Sequence, residues 1–193
     1  MGLIQLGSYK EAIEFISKEM DHAQGFIEFL MREVPDPIIA GFILGKASLA
    51  SELKIKFNVD QSSSFKDVPA SISRDNLITI IGNLINNAFE AVKENNEKGR
   101  EVSLFLTDLG KDLIIEIEDN GKGIRDKDCC KIFEQGFSTK ASSNNQGIGL
   151  SLVKNAVDSF GGTITFSTVE GEGTLFTVAL PKRGKKNGHP EQH

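Results

Sequence analysis

Two carboxamides stand four residues apart in Asn83-Leu84-Ile85-Asn86-Asn87, so on a helix Asn83 and Asn87 share a face. Their neighbours are apolar, and a buried amide without a partner costs roughly 1–3 kcal/mol. This face therefore looks either into a polar site or onto loops that hydrogen-bond it. A neutral oxygen such as that of Asn87 is a fitting ligand for a magnesium ion whose charge phosphates already largely meet. The second group is Asp119-Asn120-Gly121-Lys122-Gly123-Ile124, at the end of a strand-like run. Asp119 can accept a hydrogen bond from an exocyclic amine such as that of adenine, while Gly121 and Gly123 allow close backbone approach. The same string also serves as a tight turn capped by an Asp.

Farther along, Phe133-Glu134-Gln135-Gly136-Phe137-Ser138-Thr139-Lys140 precedes the polar run Ala141 to Gln146. Two aromatic anchors beside such a run describe a loop that closes on a ligand, or an ordinary surface loop. In Gly147-Ile148-Gly149-Leu150 the glycines lead into a helix, whose first N–H groups and positive dipole end suit a phosphate. A helix start without a ligand is the alternative. No Gly-x-x-x-x-Gly-Lys-Ser/Thr string is present, and Gly121-Lys122-Gly123 lacks the spacing of a dinucleotide-binding turn, so the two commonest nucleotide folds are disfavoured.

Several elements must position these groups. Ile13, Phe15, Ile16, Met20, Phe26, Ile27, Leu30 and Met31 recur at three- and four-residue steps, which predicts an amphipathic helix from Ser8 to about Glu33. Val34-Pro35-Asp36-Pro37 ends it, and Asp36 can cap a second helix, with Pro37 first, that runs to about Leu53. A strand over Lys54 to Val59 and a helix capped by Ser73 or Asp75 and ending near Val92 follow. Strands over Val102 to Thr107 and Leu113 to Asp119 pair around Gly110-Lys111, and Thr163 to Thr168 and Thr174 to Leu180 form a second hairpin. A helix from Gly149 to about Phe160 lies between the hairpins. The sum is an α/β two-layer sandwich, a mixed sheet covered on one face by helices. Residues 1–33 are predicted as a separate helical region, 34–182 as the α/β domain and 183–193 as a polar, disordered tail.

The formal net charge of -5 offers no basic field for a nucleic-acid backbone. No apolar run reaches the length of a membrane span and the start lacks the regions of a signal peptide, so no direct membrane contact is expected. The two cysteines, Cys129 and Cys130, are adjacent and form a poor disulfide pair, which fits a reducing cytosol.

In their order, the four motifs resemble those of the ATPase superfamily shared by gyrase B, heat-shock chaperones of the ninety-kilodalton class, MutL and histidine kinases. Asn83 to Asn87 is similar to the N box, Asp119 to Gly123 to the G1 box, Phe133 to Phe137 to the F box and Gly147 to Gly149 to the G2 box. The resemblance implies a Bergerat-type ATP-binding fold with ATP and Mg²⁺ as cofactors. It assigns the metal to Asn87 and adenine N6 to Asp119. Gly121, Gly123, Ile124, Phe133, Phe137, Gly147, Ile148, Gly149 and Leu150 would shape the pocket and phosphate cradle, with Lys140 as a lid contact. Hydrolytic members carry a Glu four residues before the magnesium-binding Asn, as base for water. Here that place is Asn83, which points to the kinase branch, with Asn83 and Asn87 serving phosphoryl transfer. One departure is Glu90, where many histidine kinases carry Lys or Arg.

Gly2-Leu3-Ile4-Gln5-Leu6-Gly7, and Asp36 to Lys46, are similar to the citrate- and C4-dicarboxylate-sensing kinases. In those proteins the phosphorylated histidine lies on a helix just before the Gly-Leu-Ile-Gln-Leu-Gly-like segment. The resemblance therefore implies that this chain begins after the phosphoacceptor and that Ser8 to Glu33 is the second dimerisation helix. His22 lacks the acceptor pattern, and His189 and His193 fall in the tail. The implied protein is the cytoplasmic part of a membrane-anchored bacterial sensor that works as a homodimer and passes phosphate to a response regulator receiver domain. The chain alone is expected to bind nucleotide but to autophosphorylate poorly. Two other readings stay open: an ATPase or protein-serine kinase of the same fold, and an interaction module that has lost nucleotide.

Overall fold

The computed structural model describes residues 24–138 and 147–182. The predicted first-helix turns before residue 24, including His22, lie outside the described residues, as do Lys140 with residues 139–146 and the tail with His189 and His193. Helix α1 (residues 24–33) is followed by α2 (Pro37–Glu52), strand β1 (Lys56–Val59) and α3 (Arg74–Val92). Then come β2 (Glu101–Thr107), β3 (Asp112–Asp119), α4 (Gly149–Ser159), β4 (Thr163–Val169) and β5 (Gly173–Pro181).

Asp36 caps α2 as expected: its Oδ1 accepts from the amides of Ile38 and Ile39, and its other oxygen pairs with Arg74 at the start of α3. At the far end of α2, Lys54 takes a positive φ of 55°. The Ile55 amide then reaches back to Ala50 O at 2.8 Å and the Lys54 amide to Ser51 O at 3.1 Å, a closure that residues of the helix end must make before the chain can extend. For that reason β1 begins at Lys56 rather than at Lys54. Ser73 is the N-cap of α3 but makes no side-chain capping bond.

The five strands run in the order β1-β2-β3-β5-β4, with β1 parallel to β2 and the other pairs antiparallel. Val102, Leu104 and Leu106 on β2 stand opposite Asp119, Ile117 and Ile115 on β3, which in turn stand opposite Thr174, Phe176 and Val178 on β5. All of these are buried, whereas the alternate residues Ser103, Phe105 and Glu116 are partly open, so the helices cover one face only. α3 is the central helix: Leu77, Ile80, Ile81, Leu84, Ile85, Phe89 and Val92 are buried against the sheet. Each such burial contributes about 1.5–3 kcal/mol, which outweighs the cost of keeping two carboxamides partly desolvated on the same helix.

Phe29, Leu30 and Val34 are buried in the same core as α3, and the Phe65 amide bonds to Glu33 O at 2.7 Å. The boundary drawn from sequence between residues 33 and 34 thus passes through one cluster of packed side chains.

Candidate functional site

Asn83 and Asn87 lie on the part of α3 that faces α4. Asn83 Nδ2 donates to Thr79 O at 2.8 Å, which leaves its Oδ1 free to face the start of α4; a Cβ on Gly149 would stand 3.0 Å from that oxygen. Asn87 is half-buried, and its carboxamide makes no hydrogen bond among the described residues. α4 starts at Gly149 after Ile148, with no side-chain cap and no acidic residue in its first turn, so its leading N–H groups and dipole keep their positive character. Ser151 Oγ donates to Ile148 O at 2.8 Å and holds that first turn, while Leu150 packs against the core.

The turn after β3 is held from three sides. A Cβ on Gly121 would come within 2.6 Å of the Ala91 backbone on α3, and one on Gly123, whose φ is +67°, within 2.3 Å of Val169 O on β4. Asn120 supplies the third tie: its Oδ1 accepts from the Glu101 amide at 2.9 Å, its Nδ2 donates to Gly99 O at 2.6 Å, and its carbonyl accepts from Asn95 Nδ2 at 2.7 Å. Arg100 beneath it donates to the carbonyls of Leu53, Lys93 and Asn95, binding the ends of α2 and α3 to the same corner. The Asp119 turn and the Asn83–Asn87 face are thus fixed to one helix.

Asp119 is buried, with 6% of its surface exposed, and its Oδ1 accepts from the Gly121 amide at 2.9 Å. Burial pushes its carboxyl up to about 6; the Gly121 and Thr174 amides pull in the opposite direction, and neighbouring Glu118 adds to the rise. Thr168 and Thr174, which the sequence reading did not single out, complete this corner. Thr168 Oγ1 accepts from the Ile124 amide at 2.9 Å and lies 3.1 Å from Thr174 Oγ1, and Thr174 is the register partner of Asp119.

Phe133 meets Phe166 edge to face at 6.1 Å, and Phe166 continues to Phe176 at 5.8 Å, so the first aromatic anchor is seated on the sheet. Phe137 packs against the core, and the Gly136 amide bonds to Gly147 O at 3.1 Å. Gly147, with a φ of +64°, lies so close to this segment that a Cβ would stand 2.5 Å from Phe137 O. Gly136 and Phe137 therefore meet Gly147 just ahead of the start of α4. Glu90 points its carboxylate at Lys93. The structure brings Asn83 against Gly149 between α3 and α4, sets Gly121 of the Asp119 turn on the end of α3 and Gly123 on β4, joins Phe137 to Gly147 ahead of α4, and packs Phe133 on Phe166; Lys140 falls outside the described residues.

These residues suit a purine nucleotide with a divalent ion. Asp119 offers a buried acceptor, Gly121, Gly123 and Gly147 let their turns close against α3, β4 and Phe137, and Asn87 offers a carboxamide with no hydrogen-bond partner among the described residues. No group of three or more His, Cys, Asp or Glu that could hold a metal ion occurs among the described residues.

Residues 72–184 match the family described as histidine kinase-, DNA gyrase B- and HSP90-like ATPase, and the chain belongs to that family. Within it the similarity is to bacterial sensor kinases. The chain is 41% identical over 190 residues to the sensor protein CitS of Bacillus subtilis (strain 168), covering 98% of this chain and 34% of that protein. It is 35% identical over 187 residues to the sensor histidine kinase DcuS of Escherichia coli (strain K12), covering 97% and 34%. A probable C4-dicarboxylate sensor kinase of Bacillus subtilis (strain 168) is 30% identical over 188 residues, covering 97% and 35%. The chain spans about a third of the length of these curated relatives. The fold matches the catalytic domain of histidine kinase ThkA with a TM-score of 0.62 at 23% identity, over 78% of this chain and 95% of that one. The expected superfamily, kinase branch and subfamily resemblance are all borne out by these matches. Among the described residues no helix is long and apolar enough to cross a membrane.

Proposed function

We propose that this chain is the Mg-ATP-binding, phosphoryl-donating part of a sensor histidine kinase. In the whole protein it serves a histidine on a neighbouring dimerisation helix, and an aspartate of a response regulator receiver domain then takes the phosphoryl group. Residues 1–33 are the C-terminal part of that dimerisation region, and the chain is the cytoplasmic portion of a membrane-anchored homodimer. The stimulus class of its relatives, including C4-dicarboxylates, is the proposal for the sensor that precedes it.

The observation that carries this reading is the state of Asn83. In hydrolytic relatives a Glu at this place activates water. Here a carboxamide ties its nitrogen to Thr79 O and turns its oxygen to Gly149, so position 83 offers no base. Bound Mg-ATP would supply the transferable phosphoryl group. Asn87 would hold the ion, Asp119 would take the adenine amine, and the open N–H groups at Gly149 and Leu150 would receive phosphate oxygens. Ile124, Phe133 and Phe137 would form apolar walls that exclude water, with Lys140 as a further phosphate contact. The chain's contribution is positioning and charge stabilisation rather than proton transfer.

The test is calorimetric titration with a non-hydrolysable ATP analogue and Mg²⁺, then incubation with labelled ATP and the histidine-bearing helical region of an intact kinase. Binding, with acid-labile label appearing on the added histidine and little phosphate release, is expected. Rapid phosphate release or label on serine would instead establish the hydrolase or serine-kinase reading. Absence of binding would establish the interaction module.

A further inference from the structure

Lys46 reaches from α2 to α3, where its Nζ donates to Asn86 Oδ1 at 2.7 Å and lies 5.3 Å from the centroid of the Phe42 ring. Phe42 is seated there because Gly82 has no side chain; a Cβ would come within 2.8 Å of the ring. Among the described residues three lysines are partly buried. Lys154 faces Asp158 and Lys182 faces Asp67, but Lys46 has no carboxylate partner. A partly desolvated ammonium is ordinarily matched by an anion, and an amide oxygen with a ring face offsets only part of the lost hydration. The same loss of water lowers the Lys46 pKa from its ordinary value.

The point at which it meets α3 indicates which anion would complete it. At about 100° per residue, Asn83 falls between Asn86 and Asn87 on the helix surface, so the ammonium stands on the rim of the face that carries the candidate metal ligand. The Asp119 turn meets α3 at Ala91, and Lys46 meets it at Asn86, about 7–8 Å nearer the helix start. The start of α4, whose N–H groups are the candidate phosphate donors, meets α3 at Asn83, so a nucleotide with its base at Asp119 would extend its phosphates toward that end. On α3 itself the expected cation is replaced by Glu90, which Lys93 already neutralises.

We propose that Lys46 is the cation that receives the terminal phosphate of a bound nucleoside triphosphate, taking the part of the basic residue missing at position 90. The inference rests on the nucleotide reading of the cleft. It also gives α2 a functional part: the helix that follows the dimerisation region would carry one of the phosphate contacts.

The test compares affinities of the full chain for ADP and for a non-hydrolysable ATP analogue, both with Mg²⁺. Lys46→Met is expected to weaken the triphosphate about tenfold while leaving ADP within about twofold, and Lys46→Arg to keep most of the difference. The unchanged ADP affinity is the check that the variant folds. Asp119→Asn is expected to weaken both ligands together, because it acts at the base. If Lys46→Met weakens both ligands equally, or neither, the proposal is overturned while the nucleotide site stands. If the parent chain binds neither ligand, the nucleotide reading fails and this inference fails with it.

Discussion

Asp119 and Thr174 face each other across β3 and β5, and Gly173 beside them lies so near that a Cβ there would stand 1.9 Å from Asp119 O. Burial at this strand pair takes water from the Asp119 carboxyl and moves it from an ordinary 3.8 to about 6, against the pull of the Gly121 and Thr174 amides. Between those values the folded chain holds a proton that the unfolded chain has released. Its effect is thus to stabilise the fold as pH falls through 6 and to destabilise it as pH rises, with the full penalty present above 6. Asp119→Asn removes the penalty, and the expected gain in the ligand-free chain at pH 8 is roughly 1–3 kcal/mol, shrinking to nothing below about pH 3. Adenosine, which carries no phosphate to titrate in this range, should bind the parent more tightly at pH 7.5 than at pH 5 and bind Asp119→Asn weakly at both. Melting curves across pH and adenosine titrations check both statements; a variant no more stable at pH 8 than the parent would show that the carboxylate is not desolvated.

Gly121 and Gly171 separate steric contact from backbone strain. At Gly121 a Cβ would stand 2.6–2.7 Å from the backbone and side chain of Ala91, in the last turn of α3, an end that Arg100 holds through Lys93 O. At Gly171 the φ is +88° but nothing lies within 4 Å. Both alanine variants should lose about 1–3 kcal/mol of stability, the first by overpacking and the second by strain. Only Gly121→Ala should also lose nucleotide affinity, by at least about tenfold, because it pushes the Asp119 turn off α3. Equal affinities in the two variants would mean that the turn does not depend on its seat at Ala91.

What was legible in the sequence was local. Asp36 before Pro37, the apolar stripe of α3 and the glycine strings announce themselves within a few residues, because capping, periodicity and backbone freedom act over one or two turns. Nothing in the Lys54 side chain signals a left-handed helix end, so alternation alone predicts strand there; the Ile55 to Ala50 hydrogen bond imposes the other conformation. Thr168 and Thr174 were missed for a different reason. Each is an ordinary strand residue in its own segment, and only the pairing of β3 with β5 and β4 with β5 brings them to Asp119. Lys46 depends on packing between helices about 40 residues apart in sequence, which no short window contains.

Leu30 and Met31 are adjacent on α1, yet Leu30 is 0% exposed and Met31 is 68% exposed. Leu30 packs with Phe29, Val34 and Phe65 in the core that also holds α3, and Glu33 is tied to Lys66 at 2.8 Å. If the end of α1 is part of the catalytic body, Leu30→Ala should cost about 2–5 kcal/mol, a large share of the roughly 5–15 kcal/mol that holds such a domain. Met31→Ala should change stability by no more than about 0.5 kcal/mol. A chain starting at residue 34 should then melt well below the full chain, having lost Phe29 and Leu30 from its core. Denaturant unfolding of the three proteins decides the matter. Should Leu30→Ala prove as mild as Met31→Ala, α1 is a detachable stem, and motion of the proposed dimerisation region could not reach the proposed nucleotide site through this packing.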